Sequence, residues 1–334
     1  MADTQSLQLP ETRVTTIDPQ YTLSDDLVLP FGTRLNGISG RVVRLGSALD
    51  EILARHAYAD PVNVALGEAL VLAALLGSAL KFEGQLILQT KTDGPLGMLV
   101  ADYAAPGKLR GYASATADAV AGVDLGNGAP ARKQAQLLGK GYLAMTIDPG
   151  GHMDRYQGIV ALDNSTLAEA AHTYFRQSEQ LPTLIRLAVA RHFADGVWRW
   201  RAGGLLIQQV ARGGGIVTPG KSDEERDATL EGEDNEDWRR VKMLAGTVED
   251  HELIDPLLAP LRLVYRLLHE EGVNARPPTP LMAECRCSRE RLLGYLQSFD
   301  ANAMVDLRDA DGKLSATCEF CSTVYRYGPE DGVG

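Results

Sequence analysis

Cys285-Arg-Cys287 and Cys318-Glu-Phe-Cys321 hold all four cysteines of this chain. Two close pairs joined by a single span can bring four thiolates around one tetrahedral ion, and a soft thiolate set selects zinc. Arg286, Arg289 and Arg291 flank the first pair and favour the thiolate form. The spacing speaks strongly for a metal and weakly for what the metal does. Three readings follow from it: a closed zinc site, a site opened by oxidation, and a C-x-x-C thiol oxidoreductase. The last lacks the βαβ setting that a thioredoxin-like motif needs. The six histidines are scattered and suggest no second site. Gly139-Lys-Gly141 lacks the longer pattern of a phosphate loop and reads as a tight turn. Glu179 has no identifiable catalytic partner.

The cysteine segment, about residues 280–329, is too small to bury much core, and domains of this size need a metal or disulfides. A thiolate zinc site supplies about 10–16 kcal/mol of folding free energy in comparable peptides. The whole chain has 334 residues, enough for this module and a larger domain. Its formal net charge of -11 keeps it soluble and makes it a poor partner for phosphate backbones, so a nucleic-acid-binding zinc ribbon is disfavoured. The first residues carry no basic start followed by an apolar run, so no secretory signal is read there. The most apolar stretch, residues 69–80, reads as a buried core helix rather than a membrane span. A reducing compartment is expected, with the cysteines starting as thiolates.

The elements that must carry this module follow from periodicity. Residues 1 to about 20 are polar and read as a loose tail. A β-type run covers residues 36–43. Ser47 is expected to cap a helix through Leu49, Ile52 and Leu53, and Pro61 to open a second helix over 62–81. Alternation predicts strands at 85–90, 96–102 and 109–113, then a hairpin of 141–147 with 156–162. Ser165 is expected to cap a helix with Leu167, Ala171 and Phe175, and a last strand starts at Gly203. Hairpins with interspersed helices make an α+β body. The stretch from Gly213 to Asp237 is acidic and poor in apolar residues, and reads as a solvated excursion. Helical periodicity returns over 238–271, with Val241, Leu244 and Val248 on one face. Leu261, Val264, Leu267 and Leu268 form a second stripe after Pro256 and Pro260 break the run. Pro277, Pro278 and Pro280 form a stiff joint into the cysteines.

Several segments together resemble the redox-regulated 33 kDa heat-shock chaperonin family. They include Leu66-Gly-Glu68, Asp93-Gly-Pro95, Leu109-Arg-Gly-Tyr-Ala113, Arg155-Tyr-Gln-Gly-Ile-Val160 and Ala202-Gly-Gly-Leu-Leu-Ile-Gln208. Tyr265-Arg-Leu-Leu-His-Glu-Glu271 and the cysteine motifs follow in the family's order, and the resemblance spans about residues 33 to 328. It implies an N-terminal α/β-sheet body, a helical linker and a small C-terminal zinc-binding redox domain. The corresponding boundaries are a tail (1–32), the body (33–212), the acidic insertion (213–237), the linker (238–280) and the redox domain (281–328).

The resemblance implies a cytoplasmic, ATP-independent holdase, not an enzyme, with one zinc on Cys285, Cys287, Cys318 and Cys321. Oxidation would form Cys285–Cys287 and Cys318–Cys321, release zinc and unfold the linker. The protein would then dimerise and hold unfolded client proteins, with no nucleic acid or membrane as partner. Two such short disulfide loops are worth roughly 1.5–2 kcal/mol each, far less than the metal, and they leave the two halves of the module untied. The linker stripes at Val241, Leu244, Val248, Leu261, Val264, Leu267 and Leu268, with the exposed sheet of the body, are the expected client-binding surface. The alternative is a static zinc module without switching.

Overall fold

The structure, a computed structural model, describes residues 25–331 apart from 35–36, 81–82, 122–129, 152, 210–235, 299–307, 310 and 329–330. Most of the expected tail and nearly all of the acidic insertion therefore lie outside the described residues. In chain order the body contains β1 (Leu27–Thr33), β2 (Ile38–Leu45), α1 (Ser47–Ala54), α2 (Asp60–Gly77), β3 (Gln85–Thr92), β4 (Met98–Ala104) and β5 (Lys108–Ser114). After these come α3 (Ala117–Ala121), α4 (Pro130–Leu138), β6 (Lys140–Asp148), β7 (Tyr156–Asp163), α5 (Leu167–Tyr174), β8 (Thr183–Ala194) and β9 (Val197–Gln209). The linker supplies α6 (Glu236–Gly246), α7 (Asp250–Ile254), α8 (Pro260–Leu268), β10 (Val273–Ala275) and β11 (Thr279–Pro280). The chain ends with β12 (Met282–Ala283), α9 (Arg289–Leu296), β13 (Leu314–Thr317) and β14 (Val324–Tyr327).

Helix α2 is the axis of the body. Pro61 sits in its first turn, where a missing N–H costs nothing, and Ala and Leu dominate its interior. It is long and apolar enough to cross a bilayer by those measures alone, yet most of its surface is buried inside the protein. Two sheets cover it. The first has the order β10-β1-β2-β9-β8, with β11 also paired to β1. The second has the order β12-β5-β4-β3-β6-β7. The main core lies between them, built from Leu66, Leu70, Leu72 and Leu75 against Val43, Leu88, Leu99 and Leu206.

Two adjacent glycines in β9 let helices approach both faces of the first sheet. A Cβ at Gly204 would lie 2.4 Å from Val71 on α2, and one at Gly203 would lie 2.0 Å from the Leu253 carbonyl on α7. The linker helices thus form a second core on the outer face of that sheet, with Trp238, Val241, Val264 and Leu268 against Leu29, Val42, Leu205 and Ile207.

Several expected boundaries move. β1 starts at Leu27, inside the expected tail, and β9 starts at Val197 rather than Gly203. β8 escaped the alternation pattern because Arg186, Arg191 and His192 interrupt its apolar positions. α2 stops at Gly77, short of residue 81. Ser47 is the first helical residue of α1, not its cap. Asp26, distant in sequence, instead accepts the Gly46 and Ala48 N–H groups at 2.8 and 3.1 Å. Thr166, rather than Ser165, caps α5 in a reciprocal box with Glu169.

Candidate metal centre

β12 delivers the first cysteine pair. Met282 and Ala283 pair in parallel with Lys108 and Leu109 at the outer edge of β5, and the Glu284 N–H donates to the Leu109 carbonyl at 3.0 Å. Cys285 and Cys287 follow on extended chain, which ends where the Ser288 hydroxyl caps α9 through the Arg291 N–H. The second pair sits at the end of β13. The Cys318 carbonyl accepts from Ser322 N–H at 2.8 Å, and the Cys318 N–H donates to the Thr323 carbonyl at 2.9 Å. Ser322 closes this turn in the left-handed region, with φ 56°.

The four Sγ atoms all lie within 4.8 Å of one another. The Cys285–Cys318 separation is 3.7 Å and the Cys287–Cys321 separation 3.4 Å. Tetrahedral zinc with Zn–S bonds of about 2.3 Å sets S···S near 3.8 Å, so the donor set fits zinc in type, number and spacing. No other His, Cys, Asp or Glu grouping of this kind occurs among the described residues. Both of these separations run between the two motifs.

The environment of the sulfurs is uneven. Burial pushes the Cys318 thiol up to about 12 and also raises Cys287. Burial opposes ionisation of Cys321 too, but hydrogen bonds from the Thr323 hydroxyl and backbone outweigh it and hold that thiol at about 6. The Tyr325 hydroxyl lies 3.3 Å from Cys287 Sγ, a contact that keeps the phenol protonated and able to donate. A bound dication would deprotonate all four thiols.

Around this cluster the module buries little. Leu314 and Tyr327 are its buried apolar pair, flanked by half-buried Leu292, Leu293 and Leu296. Its attachment to the body is more elaborate. Arg286, enclosed by the first cysteine pair, donates to Asp102 on β4 and to Gln85 on β3. Asp102 is 1% exposed and also holds Arg110 of β5 at 2.8 Å. Phe320, enclosed by the second pair, lies with its ring 4.0 Å from the Arg110 guanidinium and edge-on to Tyr112. His56 at the end of α1 meets the Phe320 carbonyl at 3.3 Å, and the Ser322 hydroxyl donates to the Arg55 carbonyl. Both enclosed side chains therefore converge on Arg110 and its buried carboxylate.

The expected client-binding residues are not on the surface of this state. Val241, Val248, Val264, Leu267 and Leu268 are buried against the first sheet, and Leu244 and Leu261 are half-buried beside them. The outward positions of the linker are instead Met243, Leu257 and Tyr265. The linker is held by its helix ends. Arg44, buried in β2, donates to the Asp255, Glu252 and Leu258 carbonyls at the end of α7. Arg201 donates to the Ile254 carbonyl at 2.7 Å and pairs with Asp25. Cationic groups at a helix C-terminus satisfy its last carbonyls and complement its dipole.

The structure brings together the four cysteines that the spacing singled out, but the spacing said nothing of their setting. Asp102, Arg110, Tyr112, His56, Thr323 and Tyr325 were missed as site residues. The only sequence signal for Arg110 and Tyr112 was their place in the Leu109-Arg-Gly-Tyr-Ala113 segment.

Comparisons with known proteins agree with this architecture. The family model described as Hsp33 protein matches residues 26–328. The 33 kDa chaperonin of Caulobacter vibrioides is 43% identical over 316 residues, covering 95% of this chain and 99% of the relative. That of Ectopseudomonas mendocina is 38% identical, covering 88% of this chain and 89% of the relative. The crystal structure of the Thermotoga maritima 33 kDa chaperonin superposes with a TM-score of 0.69 at 22% identity, covering 92% of this chain and 96% of that one. It shares the fold.

Proposed function

The chain belongs to the Hsp33 protein family of chaperones, and on that premise we propose that it is a redox-switched, ATP-independent holdase of the cytoplasm. In this reading Cys285, Cys287, Cys318 and Cys321 hold one zinc in the reduced, inactive form. Two equivalents of an oxidant such as peroxide each take two electrons from one thiolate pair and two protons from solvent and leave as water, while Cys285–Cys287 and Cys318–Cys321 form and zinc departs. The module then opens, the linker follows, and unfolded client proteins are held by a dimer. Nucleic acid and membranes are not partners.

One observation carries this reading: four sulfurs at zinc spacing in a module whose described residues form only a small apolar cluster. Such a module depends on its metal, whereas the body does not. The pairing of the disulfides decides the outcome. Crosswise bridges between the two motifs would close loops of more than thirty residues, each worth about 3.8 kcal/mol, and would tie the module shut. Neighbour bridges tie nothing across it.

The test follows zinc release, disulfide connectivity and client aggregation together during peroxide treatment. Neighbour disulfides, stoichiometric zinc release and suppression of aggregation by oxidised protein alone are expected. Crosswise disulfides with a folded module, or zinc retained under peroxide, would favour the static zinc module and overturn the switch.

A further inference from the structure

Residues 279–283 do something unusual for so short a stretch: they close an edge of both sheets. Thr279 and Pro280 pair with Val28 and Leu27 on the outer edge of β1. Two residues later, Met282 and Ala283 pair with β5, and the Met282 N–H donates to the Gly107 carbonyl at 2.9 Å. Between them Leu281 donates its N–H to the Asp26 carbonyl at 2.7 Å and turns its side chain into the main core, 4% exposed. The approach is close enough to need glycine at 107, since a Cβ there would lie 2.1 Å from the Pro280 carbonyl oxygen. Upstream, β10 covers the rest of the β1 edge through Phe31 and Gly32, and the Arg276 N–H donates to the Pro30 carbonyl.

These are very short strands, and strands of two or three residues hold weakly by themselves. Their position depends on what anchors them at each end: α8 on one side, and on the other the zinc module, whose first ligand follows β12 by two residues. An edge whose covering strand leaves presents a row of unpaired N–H and C=O groups, a template for another extended chain.

We propose that residues 273–283 occupy the client seat in the inactive protein. The occupant they stand in for is an extended stretch of unfolded polypeptide, uncharged where it crosses from β1 to β5. It would add a strand to β1 and β5 and set one apolar side chain into the slot of Leu281. The segment Thr279-Pro-Leu-Met-Ala283 has that character: uncharged and extended, with a single core-seeking leucine. The inference rests on the proposed switch, because the seat opens only when the zinc module lets go.

Amide hydrogen exchange on the full-length protein tests it, in the reduced zinc form, the oxidised form, and the oxidised form holding a heat-unfolded client. Oxidation should cost the amides of residues 27–29, 31 and 108–110 at least about tenfold in protection, and bound client should restore it. If oxidised protein suppresses aggregation but the client protects the exposed β7 edge at Tyr156 and Ile159 instead, this inference fails and the switch stands. If oxidised protein holds no client at all, both fail.

Two variants reach the seat without oxidant. Leu281→Asp removes the plug, and Met282→Pro removes one ladder hydrogen bond from a half-exposed position without touching the core. Each should bind client while reduced and still zinc-loaded. Retained zinc with no client binding in both variants would overturn the proposal, and Met282→Pro keeps it open to refutation should Leu281→Asp fail to fold.

Discussion

The body and the C-terminal module solve the same problem by different means. Around α2, two sheets bury a continuous apolar core, and the linker helices add a second. Among the described residues of the module the buried apolar cluster is Leu314 and Tyr327, beside the four grouped sulfurs. A protein built this way carries one part held by a large apolar core and, on the proposed function, one part held by four sulfurs. The contact between them is polar and concentrated: Arg286 and Phe320, each enclosed by a cysteine pair, meet on Arg110 and Asp102. A change at the sulfurs is therefore felt at once where the module touches the body.

The sharpest way to break this contrast is to remove the metal without oxidant. Chelation of the reduced protein, or Cys318→Ser, should withdraw about 10–16 kcal/mol from the module. Calorimetry should show its transition vanish while the transition of the main core survives; joint loss of both would erase the distinction. Next in size is Asp102→Ala. It strands Arg110 and Arg286, both largely buried, without a carboxylate, a loss on the scale of about 3–5 kcal/mol. Zinc release should then begin at lower peroxide, and an unchanged threshold would mean that docking does not guard the sulfurs. Phe320→Ala should act in the same direction but more weakly, by about 1–2 kcal/mol, through loss of the Arg110 and Tyr112 contacts.

The last effect belongs to the body alone and is read as a pH profile. Burial, with a contribution from the Asp250 charge, pushes the Glu68 carboxyl from its ordinary 4.5 up to about 8. A carboxyl that ionises later in the folded chain than in the unfolded one favours folding fully below about 4.5. That contribution is lost as pH rises toward about 8. Glu68→Gln should flatten the fall in body melting temperature across this window and leave the zinc transition untouched. An identical pH profile in the variant would show that Glu68 does not sense the core.

Much of the α+β order was legible in the chain. β3, β5 and β7 announced themselves because half-buried antiparallel strands alternate, while β4 and β6, whose buried positions run together, were legible as short apolar runs between turns. β8 did not, because its arginines face the linker and the N-terminus of α2, reaching Asp250 and Asp60. The caps were misread for a related reason: Asp26 serves α1 from another strand, and local spacing cannot show a cap supplied from a distance. The linker stripes were correctly read as apolar, but a stripe does not say what covers it, and here the first sheet does.

By itself the sequence singled out the four candidate ligands, since C-x-C and C-x-x-C each place two thiols side by side by local geometry, and it determined the helical and strand periods that divide body, linker and module. Only the tertiary structure decided that the residues between the ligands grip Asp102 and Arg110, and that residues 279–283 close both sheets. Those contacts join positions far apart along the chain, and such pairings are set by how the sheets stack on α2, which no local pattern of side chains encodes.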